Sequence, residues 1–312
     1  MKRFKKQVYQ GLKFLRVFHL VSNRNKNRVL ILCYHGGSLG DEWTFNPKLF
    51  MRSQVFSSRI TNLINYSYNF IALDDLFSAN LEDIPEKSVC VTFDDGWDST
   101  ATELIPFLAE RNIPSTLYLH TEKFMQQMPL HNVAIRYLVS KAGKFNIAEK
   151  DGLPWSGAAY NCQSPIDVNR LIFDMNSWVD DQGATKEQVY SVLRRIAIVL
   201  HAKGDGAKFD DKRFEYISPG DIHKLTDLNC SIELHGHRHS YPAGDPQAFS
   251  LDLRDCRNSI LTSGLKAPNH YCYPSGKHDL AASKVLQENG VISATTCTPG
   301  FEIGRASCRE RV

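Results

Sequence analysis

The chain has 312 residues, 42% hydrophobic and 23% charged, with 19 Gly and 13 Pro. These are the proportions of a folded globular protein, and they exclude collagen-like, low-complexity and intrinsically disordered chains. A net charge of +3 is too small an excess to argue for nucleic-acid binding, and the length suffices for a full core without disulfides or a structural metal.

The first 28 residues form a basic, amphipathic segment. Lys13, Arg16 and His19 interrupt its apolar stretch, so it fails as a signal peptide. Val8, Leu12, Leu15, Val17, Phe18 and Val21 make a rough helical stripe opposite cationic residues. Such a stripe either packs on its own domain or lies on an anionic membrane surface. No segment reaches the roughly 18 apolar residues of a membrane span. The eight cysteines are scattered without a CxxC pair, and Cys33, Cys90, Cys230 and Cys297 lie in or beside apolar runs. That is how buried, reduced thiols are used in a reducing compartment, so a cytoplasmic protein is expected.

From Val29 the pattern becomes strand, loop, helix, repeated. VLILCY (Val29–Tyr34) is a continuous apolar run of the kind a buried parallel strand shows, and it ends in His35-Gly36-Gly37. FIALDDL follows, then SVCVTFDDGW, then a helix that Asp98 or Ser99 is expected to cap ahead of Ile105 and Leu108. STLYL (Ser115–Leu119) reads as the next strand. Phe124 to Asp210 has a weaker pattern, helical with loops. Within it Thr185 and Gln188 make a capping box, and Gly204 is the expected stop. Ser218-Pro219-Gly220-Asp221 starts another helix, with Pro at its first position. CSIEL (Cys230–Leu234), NHYCY (Asn269–Tyr273) and VISATTC (Val291–Cys297) read as later strands. This alternation over 29–302 predicts an α/β protein whose parallel sheet closes into a barrel.

The last ten residues, Ile303–Val312 (IGRASCRERV), follow none of this logic. They are what translation of a common short-read sequencing adapter yields, so read-through is expected, with the natural chain continuing past Glu302. The alternative is a basic, disordered C-terminus.

Three polar clusters end predicted strands, the face where α/β barrels and open sheets place their sites. In TFDDGW (Thr92–Trp97), adjacent carboxylates repel one another. A divalent cation on one of them relieves the repulsion and leaves the other free as a base; otherwise the pair caps the next helix. In ELHGHRHS (Glu233–Ser240), His235 and His239 with one carboxylate form a site for a first-row divalent ion, while His237 points away or supports it from behind; otherwise this is an exposed His-rich loop. In HYCYPSGKHD (His270–Asp279), Pro274 and Gly276 turn the chain and leave amides and Ser275 facing the same mouth. His35 stands either in the wall of that mouth or as a structural histidine.

TFDDGW followed by a helix and TLYL, HxxxH after IEL, YPSG after a strand and Tyr34-His35 in the opening strand together resemble the polysaccharide deacetylase (NodB homology) family, carbohydrate esterase family 4. The likeness runs over roughly Val29 to Glu302, though Phe124 to Asp210 carries no diagnostic motif. The resemblance implies a distorted (β/α) TIM-like barrel of the glycoside hydrolase and deacetylase type, truncated at its C-terminus, that removes N-acetyl groups from amino sugars of a surface polysaccharide. It implies Asp94 as catalytic base, and Asp95, His235 and His239 as ligands of a divalent metal, Zn before Co, Ni or Mn. It also implies the Ser275 backbone N–H as oxyanion donor, with His35, Trp97, Tyr273 and Pro274 around the substrate. Two departures stand out. Many members carry an Arg two residues before the motif's Pro, where this chain has Cys272, and it then falls in a YP-motif subset lacking that Arg. The family's late histidine, a general acid, has no counterpart between Val291 and Glu302, as a lost C-terminus explains. A non-catalytic carbohydrate-binding relative and an O-acyl esterase on the same barrel remain as alternatives.

Overall fold

The computed structural model describes residues 28–78, 82–202 and 212–298, together with the backbone of Glu302–Ile303 and Glu310–Arg311. The N-terminal stripe, Gly204 and most of the C-terminal tail lie outside the described residues. The main elements in chain order are β1 (Arg28–Tyr34), α1 (Ser53–Asn65), β2 (Asn69–Phe70), α2 (Leu73–Ser78), β3 (Ser88–Asp95), α3 (Ile105–Ala109) and β4 (Ser115–Leu119). After them come α4 (His131–Ser140), α5 (Pro165–Gln182), α6 (Lys186–Val199), β5 (Cys230–Leu234), α7 (Pro246–Thr262), β6 (His270–Cys272), α8 (Ala282–Glu288) and β7 (Ser293–Thr295).

The strands pair in the order β1-β3-β4-β5-β6-β7, each neighbour parallel to the last, with β2 along the start of β3. Parallel neighbours require crossovers, and the intervening helices supply them. The sheet curls into a half-barrel; among the described residues β1 and β7 do not pair with each other. Glu302–Ile303 and Glu310–Arg311 add short antiparallel edges to β1 and β7. Among the described residues no helix is long and apolar enough to cross a membrane.

The apolar runs became strands because both their faces are covered. All eight residues of β3 and all five of β4 are buried, and a strand buried on both faces needs no polar alternation. Register sorts those residues. Cys90, Thr92 and Asp94 alternate onto one face, and Tyr118 and Glu233 stand level with Asp94 on β4 and β5. Val29, Leu73, Leu76, Cys90, Tyr118 and Cys272 fill this inner side, while a much larger cluster packs the helices around the sheet.

Several local expectations give way to tertiary context. FIALDDL divides into the end of β2 and the start of α2, where Asp74 and Asp75 occupy the first turn, the favoured place for carboxylates in a helix. Neither Asp98 nor Ser99 caps a helix: Ser99 makes no capping bond, and Asp98 meets Lys212 at 3.3 Å. A π-turn over Thr100–Leu104 leads into α3 instead. The capping box does form, with Thr185 Oγ1 accepting from the Gln188 N–H and Gln188 Oε1 accepting from the Thr185 N–H. Ser218–Asp221 closes a turn, and the helix after it begins only at Ile222, so Pro219 does not occupy its first position. Cys90 and Cys230 are buried as expected, but Cys33 and Cys297 are exposed, because each sits at a strand's open end.

Glu233 is a carboxyl buried inside the barrel on β5. Burial pushes it from its ordinary 4.5 up to about 8, although its Oε2 accepts from the Asn269 and His270 N–H groups at 2.7 and 2.8 Å. A carboxyl raised on folding contributes stability that is complete below its unfolded value and lost as pH rises through its folded one. Glu233→Gln keeps the acceptor without the charge. Thermal melts at about pH 5 and about pH 9 should therefore show the wild type losing several degrees more than the variant; parallel losses would contradict the assignment.

Candidate active site at the strand ends

The mouth of the half-barrel is built from the ends of β1, β3, β5 and β6. Strand alternation alone would send Asp94 and Asp95 to opposite faces. Asp95 escapes this through a φ of +77°, followed by Gly96 at +87°, and the turn brings both carboxylates to one mouth. Gly96 is obligatory twice over: beyond its φ, a Cβ there would lie 2.3 Å from Leu119 Cδ1. His239 and Ser275 also hold positive φ, at +54° and +56°. For non-glycine residues such backbone costs on the order of 1–3 kcal/mol and concentrates at functional sites.

Asp95 Oδ1 lies 3.1 Å from His239 Nε2 and 3.4 Å from His235 Nε2, yet it is buried with no hydrogen-bond partner. His235 explains the mismatch. Its Nδ1 donates to the Cys272 carbonyl at 2.8 Å, so in the neutral ring Nε2 carries a lone pair facing a carboxylate. Two lone pairs converge on one point, which is the arrangement a cation resolves. In the metal-free chain protonation substitutes: burial lowers the His235 pKa, but Asp95 and Asp94 beside it outweigh that and raise it. Burial likewise pushes Asp95 up, and His239 with His235 overrides it and holds the carboxyl well below its usual range. The donor set of two imidazoles and one carboxylate, all within 4.8 Å of one another, fits a divalent metal with open positions.

Asp94 is buried, and its Oδ1 has no hydrogen-bond partner. Its Oδ2 accepts from the Cys33 thiol at 3.2 Å, with Cys272 Sγ at 3.7 Å and His35 Nε2 at 3.9 Å. Asp95 thus faces His235 and His239, while Asp94 faces two thiols and His35 and also lies within 4.8 Å of a ring nitrogen of His235.

The remaining predicted residues divide. His35 stays partly open and borders Trp97, their rings 5.9 Å apart. Ser275 is exposed on the turn after β6. Trp97, Tyr273 and Pro274 are buried: Trp97 stacks on Phe50 at 4.9 Å and Tyr273 stacks under His278 at 5.0 Å. They build the wall of the mouth and leave little of themselves for a substrate to touch. His237 turns away to Thr121 Oγ1 at 2.9 Å.

Residues 82–144 match the polysaccharide deacetylase family model. This segment is similar to that of polysaccharide deacetylases. It spans about a fifth of the chain and contains Asp94 and Asp95. The curled α/β fold is shared with several solved deacetylase structures. PplD of Streptococcus pyogenes, a deacetylase in complex with acetate, is 12% identical over 88% of this chain and 85% of its own, with a TM-score of 0.55. IcaB from Ammonifex degensii is 15% identical over 86% and 83%, at 0.52. A de-N-acetylase from Aggregatibacter actinomycetemcomitans is 14% identical over 88% and 90%, at 0.51. No curated protein matches by sequence.

Within this mouth, three neighbours of the candidate ligand set were not foreseen. His120 directly follows β4 at the same strand-end level as the carboxylates, a signal legible in the sequence. Its ring lies 4.8 Å from that of His239, and its Nε2 meets Tyr216 Oη at 2.8 Å. Burial, then His239, hold its pKa well below the usual value, so it braces His239 as a neutral ring. Cys33 is the second. Asp252 on α7 is the third, and nothing in its sequence surroundings marks it. Its carboxylate accepts from the His237 and Arg238 N–H groups at 2.8 and 3.0 Å. It presses so closely on Gly236 that a Cβ there would lie 2.9 Å away. Asp252 therefore clamps the loop that carries His239. Asp252→Ala should weaken metal binding by about 10–100-fold, the usual cost of losing a supporting partner. Calorimetric titration checks this, and unchanged affinity would free the loop from that clamp.

Proposed function

We propose that the protein is a metal-dependent de-N-acetylase of amino sugars in a poly- or oligosaccharide. The observation that carries the reading is the asymmetry of the carboxylate pair. Asp95 lies against both His235 and His239, while Asp94 reaches His235 but not His239 within 4.8 Å and accepts from the Cys33 thiol. Asp95, His235 and His239 would hold the divalent metal, Zn before Co, Ni or Mn. Such an ion, when bound, supplies a Lewis acid and lowers the pKa of water. Asp94 accepts the proton of the attacking water as general base. Its orientation comes from the Cys33 and Cys272 thiols where many relatives use a guanidinium. The Ser275 N–H, on an exposed turn held at positive φ, donates to the developing oxyanion. His35 lines the open side of the mouth against the sugar.

The test is release of acetate from N-acetylated amino-sugar oligomers, with and without chelator. Chelator-sensitive release is expected. Release that survives complete metal removal would overturn metal dependence. Activity only on O-acetylated sugars would favour an esterase, and metal-dependent binding without turnover a carbohydrate-binding relative.

A further inference from the structure

We propose that the mouth holds a second, thiophilic cation site, formed by Cys33, His35 and Asp94, that shares no residue with the Asp95–His235–His239 set. The Cys33 thiol, an imidazole nitrogen of His35 and an Asp94 carboxylate oxygen lie within 4.8 Å of one another. Cys33 Sγ is 3.2 Å and His35 Nε2 3.9 Å from the same oxygen, Asp94 Oδ2. The register explains the convergence. Cys33 on β1 stands level with Thr92 on β3, and Asp94 follows Thr92 on the same face, so the thiol projects beside the carboxylate.

Three further observations point to a ligand. Asp94 is buried, yet its Oδ1 has no hydrogen-bond partner. Cys33 is exposed and His35 is partly open, so an ion has a route from solvent. Cys272 Sγ lies 3.7 Å from Asp94 Oδ2 as a further sulfur donor at the inner edge. One sulfur, one nitrogen and one oxygen select borderline and soft ions such as Zn²⁺ and Cd²⁺ over Mg²⁺ or Ca²⁺. On binding, the Cys33 S–H bond breaks, its proton passes to solvent and a sulfur–metal bond forms, with no change of oxidation state. Thiolate and carboxylate together then neutralise the dication, which lets it lie near a second one.

The site has a consequence for activity that rests on the proposed role of Asp94: a carboxylate whose lone pairs ligate an ion accepts no proton. Excess thiophilic metal therefore inhibits, while the first equivalent activates.

The test uses the full chain freed of metal and titrated with CdCl₂ alone. Equilibrium dialysis gives stoichiometry, and ultraviolet thiolate-to-cadmium charge transfer reports sulfur ligation. Two equivalents are expected, with the absorption band belonging to the second site. Cys33→Ala should lose one equivalent and the band. Cys297→Ala, which removes the other exposed thiol of the described residues, should keep both, and His235→Ala should keep the band. Should Cys33→Ala fail to fold, Cys33→Ser gives the same reading, because it keeps the volume and offers no thiolate. A single equivalent in the wild type, or a band that survives in the Cys33 variants, would overturn the proposal. If the chain releases no acetate under any condition, the functional reading fails while stoichiometry and absorption still decide this site.

Discussion

Asp94→Asn should keep the metal held by Asp95, His235 and His239 and lose about 10²–10⁴ in turnover, the usual cost of removing a general base. The amide is isosteric, but it cannot take a proton from water at neutral pH. The environment supports the asymmetry. Cys33 and Cys272 already donate toward Asp94 Oδ2, so the variant loses the base without disturbing Asp95, whose contacts are with His235 and His239. Metal content by elemental analysis and acetate release by assay read the two properties separately. A variant that kept its rate, or that lost the metal of the Asp95–His235–His239 site, would remove Asp94 from the role of base. The substitution also serves the second-site proposal, because it weakens an ion held by the Asp94 carboxylate.

His235→Ala should abolish tight metal binding, and with it all metal-dependent turnover. It removes one of three ligands, and the two that remain belong to a buried carboxylate and a half-open loop histidine. Bound metal stabilises the folded chain by mass action, about 2.7 kcal/mol at a hundredfold excess over Kd. The wild-type melting temperature should therefore rise with added metal, and that of His235→Ala should not. Because His235 Nδ1 also anchors to the Cys272 carbonyl, the metal-free variant is expected to melt somewhat below the metal-free wild type. The metal-induced shift is the deciding measurement, and an equal shift in both proteins would exclude His235 as a ligand. Asp95→Asn should behave alike, since a neutral amide oxygen is a poorer ligand than a carboxylate.

The strands were legible for a simple reason. STLYL and CSIEL coincide with β4 and β5, since a run buried on both faces is apolar throughout and needs no partner to be recognised. Helix starts were less legible. Asp98 had capping chemistry but found Lys212, 114 residues away, and a long-range ion pair took the side chain that local logic assigned to the helix. Between Phe124 and Asp210 the helices α4, α5 and α6 pack mainly on one another, and exposed apolar residues such as Phe173 and Ile198 blur their periodicity.

Sequence alone determined which residue types meet at the mouth, because parallel α/β strands deliver their C-terminal residues to one face. That, together with the family resemblance, is why Asp94, Asp95, His235, His239 and His35, which lie together at the mouth, could be named before any coordinates. Only the tertiary structure decided how they divide. The positive φ of Asp95 turns it away from strand alternation toward the imidazoles. Register alone sets Cys33, 61 residues away, against Asp94, and α7 alone brings Asp252 under the histidine loop. It also buried Trp97 and Tyr273, which the family resemblance placed around the substrate. Local physics fixes what a strand end can offer, whereas contacts between distant segments follow from packing and leave no mark at either residue.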